Sequence, residues 1–176
     1  MLKLNKFKKI FFLVLYYGIA CRLPNISFPG GKVYNWFRIL CLKKIIKIGD
    51  GCRIMAGVYI GDGNDIEIGN NCNINEGVRL DNVKIGNNVM IARESVFLGK
   101  MHEFKNISIP MIEQGIKGKK FTIIEDDVWI GIRTIVMPGI TIKKGSIIAA
   151  GAVLTKDTST NGIYGGIPAR LIKERE

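Results

Sequence analysis

The residue types best suited to chemistry lie in one stretch, Gly99 to Gly131, GKMHEFKNISIPMIEQGIKGKKFTIIEDDVWIG, which holds the chain's only histidine, His102. An unperturbed imidazole titrates near neutral pH, so such a side chain can take a proton and hand it back. The stretch is polar and broken by Pro110, Gly115 and Gly118, and six-residue repeats lie on both sides of it. An excursion that interrupts a repeating scaffold and carries the sole imidazole is where chemistry is expected. Metal chemistry is not: Cys21, Cys41, Cys52 and Cys72 form no CxxC pair and have no companion histidines. So few cysteines in a chain this large make no disulfide framework either, and reduced thiols in a cytoplasmic protein are expected.

The elements that must position this loop are written in its flanks. After it, apolar residues recur at Ile124, Ile130, Val136, Ile142, Ile148 and Leu154, a constant step of six. Before it the same step runs through Ile48, Ile54 and Ile60, then Ile68, Ile74 and Leu80, then Ile85, Ile91 and Phe97. GDGND (61–65) inserts two residues, and one drops out before Ile85. A β-branched residue at every sixth place, followed by Gly or Asn, describes short strands joined by tight turns. Three such sides make a triangular coil of about 18 residues, and about five stacked coils fit within 48–160. An antiparallel sandwich would space its strands less regularly, by roughly 8–12 residues. The expectation is an all-β solenoid over 47–160 with a protruding loop at 99–120. A helical segment over 1–46 precedes it, and a tail or short helix over 161–176 follows.

The net charge of +11 is unevenly spread. Residues 1–47 carry Lys3, Lys6, Lys8, Lys9, Arg22, Lys32, Arg38, Lys43, Lys44 and Lys47 with no acid, while the rest is close to neutral. The apolar run Ile10 to Cys21 is about half the roughly 20 residues that span a bilayer. Behind a basic start it resembles a cleaved export signal, but Phe7, Ile10, Phe11, Val14 and Tyr17 fit one face of a retained helix. After a turn at RLPNISFPGGK (22–32), Val33, Trp36, Phe37, Leu40 and Cys41 fit one face of a second helix. Two basic amphipathic helices can cap the solenoid, or residues 1–45 can lie on an anionic membrane surface. Nucleic-acid binding is not expected, because no binding motif accompanies the charge.

Four further stretches carry a resemblance: DDVWIG (126–131), MPGITI (137–142), GAVLTKD (151–157) and GGIPAR (165–170). At these separations after a histidine loop, the chain resembles the hexapeptide-repeat acyltransferases. RLPNISFPGGK and IPMIEQG resemble their sugar O-acetyltransferase branch, which serves capsule and lipopolysaccharide synthesis. The resemblance implies a left-handed parallel β-helix, a homotrimer, and acetyl-CoA held in a cleft between neighbouring prisms. It also implies an acetyl group passed to the hydroxyl of a free, nucleotide-linked or lipid-linked sugar. A serine, an antibiotic or an amino sugar is the alternative acceptor. The zinc carbonic anhydrases that share this helix need three histidines, and one is present. The chain departs from the family pattern at Met101, usually small or polar, and at Lys105, often an acid. Glu125, Lys143 and Ala149 replace the usual Gly of their hexads.

Acyl transfer from a thioester to an alcohol needs a base, donors for the developing oxyanion and a channel for the thioester. The resemblance makes His102 the base. Asn75 matches an Asn set beside the reacting hydroxyl, or is a turn residue. Asp81 is a sugar-contacting carboxylate or a corner residue, and Gln114 positions the sugar or braces the loop. Trp129 resembles the tryptophan that walls the acetyl and pantetheine channel, with interface packing as the other reading. Gly131 and Ala150 are small where the pantetheine passes, so their amides are candidates to bind its carbonyls. Thr155, Lys156 and Arg170 match positions that meet the nucleotide end of CoA, where cations suit its phosphates. For Lys156 a solvated basic rim is the competing reading.

Overall fold

The computed structural model describes the backbone of residues 2–176 and side chains from Lys6 onward. Lys3, counted among the basic residues above, lies outside the described side chains. The hexads form three parallel sheets, one for each side of a prism. The first face stacks β1 (Lys47–Ile48), β3 (Ile66–Ile68), β5 (Val83–Ile85), β8 (Thr122–Ile124) and β11 (Thr141–Ile142). The second stacks β2 (Arg53–Ile54), β4 (Asn73–Ile74), β6 (Met90–Ile91), β9 (Trp129–Ile130), β12 (Ile147–Ile148) and β14 (Gly162–Gly166). The third holds β7 (Val96–Phe97), β10 (Ile135–Val136) and β13 (Val153–Leu154), continued by single-residue bridges through Arg79 to Tyr59. This is the three-sided solenoid that the period of six predicts, with the strands parallel as the resemblance implies. One face is five strands high. The second reaches seven, because β15 (Ala169–Glu174) pairs antiparallel with β14.

That last pairing corrects the expectation of a tail or short helix over 161–176. Gly165, Gly166 and Pro168 cannot sustain a helix but suit a tight reversal, and the chain folds back as a hairpin. Elsewhere the step of six is the core. Ile54, Ile74, Ile91, Ile130 and Ile148 stack in register with no exposed surface. Full burial of each such side chain contributes about 1.5–3 kcal/mol before entropy is counted.

Turn positions repeat as columns too. Asn71, Asn88, Asp127 and Asn161 take positive φ at the first corner, where their type tolerates it. At the second corner Glu94 and Arg133 do so at 59° and 57°, and their side chains pair, Arg133 Nε to Glu94 Oε2, at 2.6 Å. Two of the three hexads lacking their usual Gly form a similar cross-coil pair. Lys143 Nζ reaches Glu125 Oε1 at 2.9 Å, and Glu125 Oε2 accepts from the Lys144 amide.

Helix α1 (Leu2–Gly18), a short 3₁₀ turn (Ala20–Arg22) and α2 (Gly31–Leu42) close the lower end. They act as a cap because the open edge of β2 needs partners. Asn35 Oδ1 accepts from the Ile54 amide at 2.9 Å, Asn25 Oδ1 from Ala56 at 2.7 Å, and the Cys21 carbonyl from Gly57 at 2.7 Å. Arg38, fully buried, donates to the carbonyls of Ile54, Leu23 and Pro24. Burial pulls its guanidinium below its usual range. Tyr16 donates to the Val58 carbonyl at 2.7 Å and Tyr17 to that of Gly61 at 2.8 Å; burial pushes the Tyr17 phenol up to about 12.

The apolar faces expected from the sequence are split: Tyr17, Phe37 and Cys41 pack inward and the rest face outward. Phe7, Ile10, Phe11 and Val14 on α1, and Val33, Trp36 and Leu40 on α2, are exposed, while Phe12, Leu13, Tyr16, Cys41 and Leu42 pack on the core. The inner face is chosen by the polar groups that cap β2. The four cysteines are buried free thiols, of which Cys52 and Cys72 donate to the Gly69 and Gly86 carbonyls.

Candidate active site

The loop leaves the third face after β7 and rejoins the first at β8. Its first stem is pinned by Asn82, a buried side chain whose Nδ2 donates to the Gly99 carbonyl at 2.7 Å. Within the loop, His102 bridges Ile116 in a short antiparallel ribbon. Lys117 N donates to the Met101 carbonyl at 2.8 Å, and Glu103 N to that of Gly115 at 3.1 Å. The imidazole is exposed and has no hydrogen-bond partner among the described residues. Glu103, its neighbouring acid, accepts instead from the Phe104 amide. Gln114 braces this loop. Its Nε2 donates to the carbonyls of Asn106 and Ile109, and its Oε1 accepts from Asn106 N.

A cavity of about 460 Å³ opens on the second face. The ladder register explains its walls. Asn75, Ala92, Gly131 and Ala149 stack as one column just past the strands, and Glu76, Arg93, Ile132 and Ala150 form the next. Trp129 and Ile147 supply the outward-facing apolar wall, with Trp129 49% exposed. Asn75, Trp129, Gly131 and Ala150 thus converge, although 75 positions separate the first from the last. Asn75 avoids the left-handed conformation that its turn reading would use, and its side-chain amide has no partner among the described residues.

The two small residues differ in what they offer. Gly131 N donates to the Ile148 carbonyl at 2.7 Å, so it is spent on the ladder. A Cβ there would stand 2.5 Å from Ala150 N and 2.8 Å from Ile148 O, so coil packing itself demands glycine. Ala150 is exposed, and its N–H is unpaired among the described residues. Gly131→Ala is therefore expected to destabilise the fold by about 1–3 kcal/mol, read as a lower urea midpoint at unchanged m. An unshifted midpoint would mean the coils are not this close.

The remaining candidates lie elsewhere. Arg170 pairs with Gly165 in the hairpin, and Gly165 follows Tyr164, which stacks on Ile148; Arg170 is thus at the upper end of the cavity's first column. Thr155 and Lys156 are exposed just beyond β13, away from the cavity lining. Asp81 sits at the third corner in a polar cavity of about 370 Å³ with Tyr59, Asp62 and Asp65, and Lys100 and Lys119 from the two loop stems complete it. The single chain therefore does not bring Asp81 and Asn75 into one cavity. Nor does His102 line the cavity of Asn75 and Trp129. Sequence reasoning missed Arg93 and Ile132 as cavity residues. Their signal was phase: each stands two places beyond a ladder isoleucine, as Glu76 and Ala150 do.

Comparison with known proteins matches the repeats and the fold. Residues 121–156 match the family described as bacterial transferase hexapeptide (six repeats), and residues 46–62 match the hexapeptide repeat of succinyl-transferase. The chain is 31% identical over 133 residues to galactoside O-acetyltransferase of Escherichia coli (strain K12), covering 72% of this chain and 63% of that protein. It spans less than two thirds of the length of the curated relatives it matches. A galactoside acetyltransferase structure in complex with coenzyme A superposes with a TM-score of 0.78 at 27% identity, covering 97% of this chain and 82% of that one. A hexapeptide-repeat acetyltransferase from Vibrio cholerae O1 biovar eltor, complexed with acetyl coenzyme A, gives 0.72 at 28% identity, covering 78% and 75%. With its period and prism in agreement, the chain resembles the hexapeptide-repeat acyltransferases over most of its length.

Proposed function

We propose that the protein is an acetyl-CoA-dependent O-acetyltransferase that modifies a sugar hydroxyl during assembly of a surface polysaccharide. The observation that carries this reading is the convergence of Asn75, Trp129, Gly131 and Ala150 on one largely apolar cavity. The residues fit a thioester arm. Trp129 and Ile147 offer it an apolar wall, Ala150 offers an unpaired N–H, and Arg170 lies where a phosphate end would emerge. His102 takes the proton of the attacking hydroxyl as the new C–O bond forms, and returns it to the sulfur as the C–S bond breaks. Asn75 holds the acceptor oxygen. Gln114 acts by keeping the loop in shape, and Asp81 meets the acceptor at the foot of that loop.

The assembly is a homotrimer working in the cytoplasm. Support comes from the separation of the two halves of the site: loop and cavity belong to different sides of one prism. A neighbouring copy brings a cavity to each loop. Exposed apolar residues on the prism sides, among them Met90, Ile123 and Ile135, suit such contacts. Galactoside acetyltransferase, named for a sugar substrate, is the kind of relative that favours a sugar acceptor. Thiol release from acetyl-CoA, followed with free, nucleotide-linked and lipid-linked sugars, tests the reading. Release dependent on a sugar hydroxyl is expected. Release with amines alone, or with no acceptor in the panel, would refute it.

A further inference from the structure

The outer faces of the two N-terminal helices are built for a surface that the prism does not supply. Phe7, Phe11 and Val14 are 73%, 63% and 68% exposed, and Ile10 completes an i, i+3, i+4, i+7 stripe along α1. Val33, Trp36 and Leu40 take the i, i+3 and i+7 places of a narrower stripe on α2. The helices cannot turn these stripes inward, because Tyr16, Tyr17, Asn35 and Arg38 are committed to the first coil.

Charge decides what covers them. At about 100° per residue, exposed Lys6 and Lys8 fall on either side of the α1 stripe. Lys32 precedes the α2 stripe, and Lys43 and Lys44 follow it. Residues 1–47 hold ten basic side chains and no acid, against 16 basic and 15 acidic in the remainder. A second copy of this face would bring like charges together, and the near-neutral prism offers no complement. We propose that these faces dock on anionic phospholipid, with the apolar side chains in the acyl boundary and the lysines at the headgroups. The docking is peripheral, because no helix among the described residues is long and apolar enough to cross a membrane. It stands independently of the catalytic reading.

The test is flotation of the full chain with vesicles of phosphatidylcholine, with and without about 30% phosphatidylglycerol. Wild type is expected to float with the anionic vesicles alone and to be released by salt. The triple variant Phe7→Ser, Phe11→Ser, Val14→Ser should bind at least about tenfold less, and Lys6→Glu with Lys8→Glu should do the same. All of these positions are exposed, so the thermal midpoint should stay put. Wild type that ignores anionic vesicles, or a serine variant that floats as well as wild type, would overturn the proposal. A change of assembly mass in the serine variant would also overturn it, by assigning the stripe to another copy.

Discussion

Replacing His102 with Ala is expected to lower kcat for acetyl transfer by at least about a hundredfold while leaving KM for acetyl-CoA near its wild-type value. The ring sits clear of the core. It is exposed on a loop ribbon held by backbone bonds and by Gln114, so its removal disturbs neither the ladder nor the cavity. Donor binding, proposed for the cavity on the second face, should not register the loss. The chain has one histidine, so none of the same type can substitute. A matched loss in KM, or an unchanged kcat, would remove His102 from the proton transfer.

The complementary result is expected from Ala150→Trp. Ala150 is exposed beside the cavity, so an indole there fills the channel without entering the core. KM for acetyl-CoA should rise at least about tenfold, a loss of about 1.4 kcal/mol, with the urea midpoint unchanged. Should affinity survive, the donor does not pass Ala150, and the cavity of Trp129 has some other occupant. Together the two variants separate proton transfer from donor binding. Gly131→Ala is less suitable, because it strikes the ladder first.

The sequence carried the scaffold clearly because a step of six from Ile48 to Leu154 leaves few ways to bury those residues. Nothing local, however, distinguished Gly131 from Ala150. Only the stacked coils reveal that one amide is consumed by Ile148 and the other is not. Asn75 was ambiguous for a similar reason, since Asn after a strand equally suits a positive-φ turn, and its actual conformation had to be seen. The C-terminal hairpin was hidden because GGIPAR reads as a motif before it reads as a reversal. The helical stripes were visible, but their direction depends on Asn25, Asn35 and Arg38 finding the β2 edge, a long-range match that periodicity does not encode. The division of His102 and Trp129 between sides of the prism likewise follows from how the coils wind.

That division supplies the most direct measurement. His102→Ala and Ala150→Trp, each nearly inactive at limiting acetyl-CoA, are to be unfolded, mixed in equal amounts and refolded together, with thiol release then assayed. If each site joins the loop of one copy to the cavity of its neighbour, random reassembly restores both intact halves at about a quarter of the sites. Activity should return to about that level. Mixed chains no more active than the parents would place both groups within one copy and contradict the shared site.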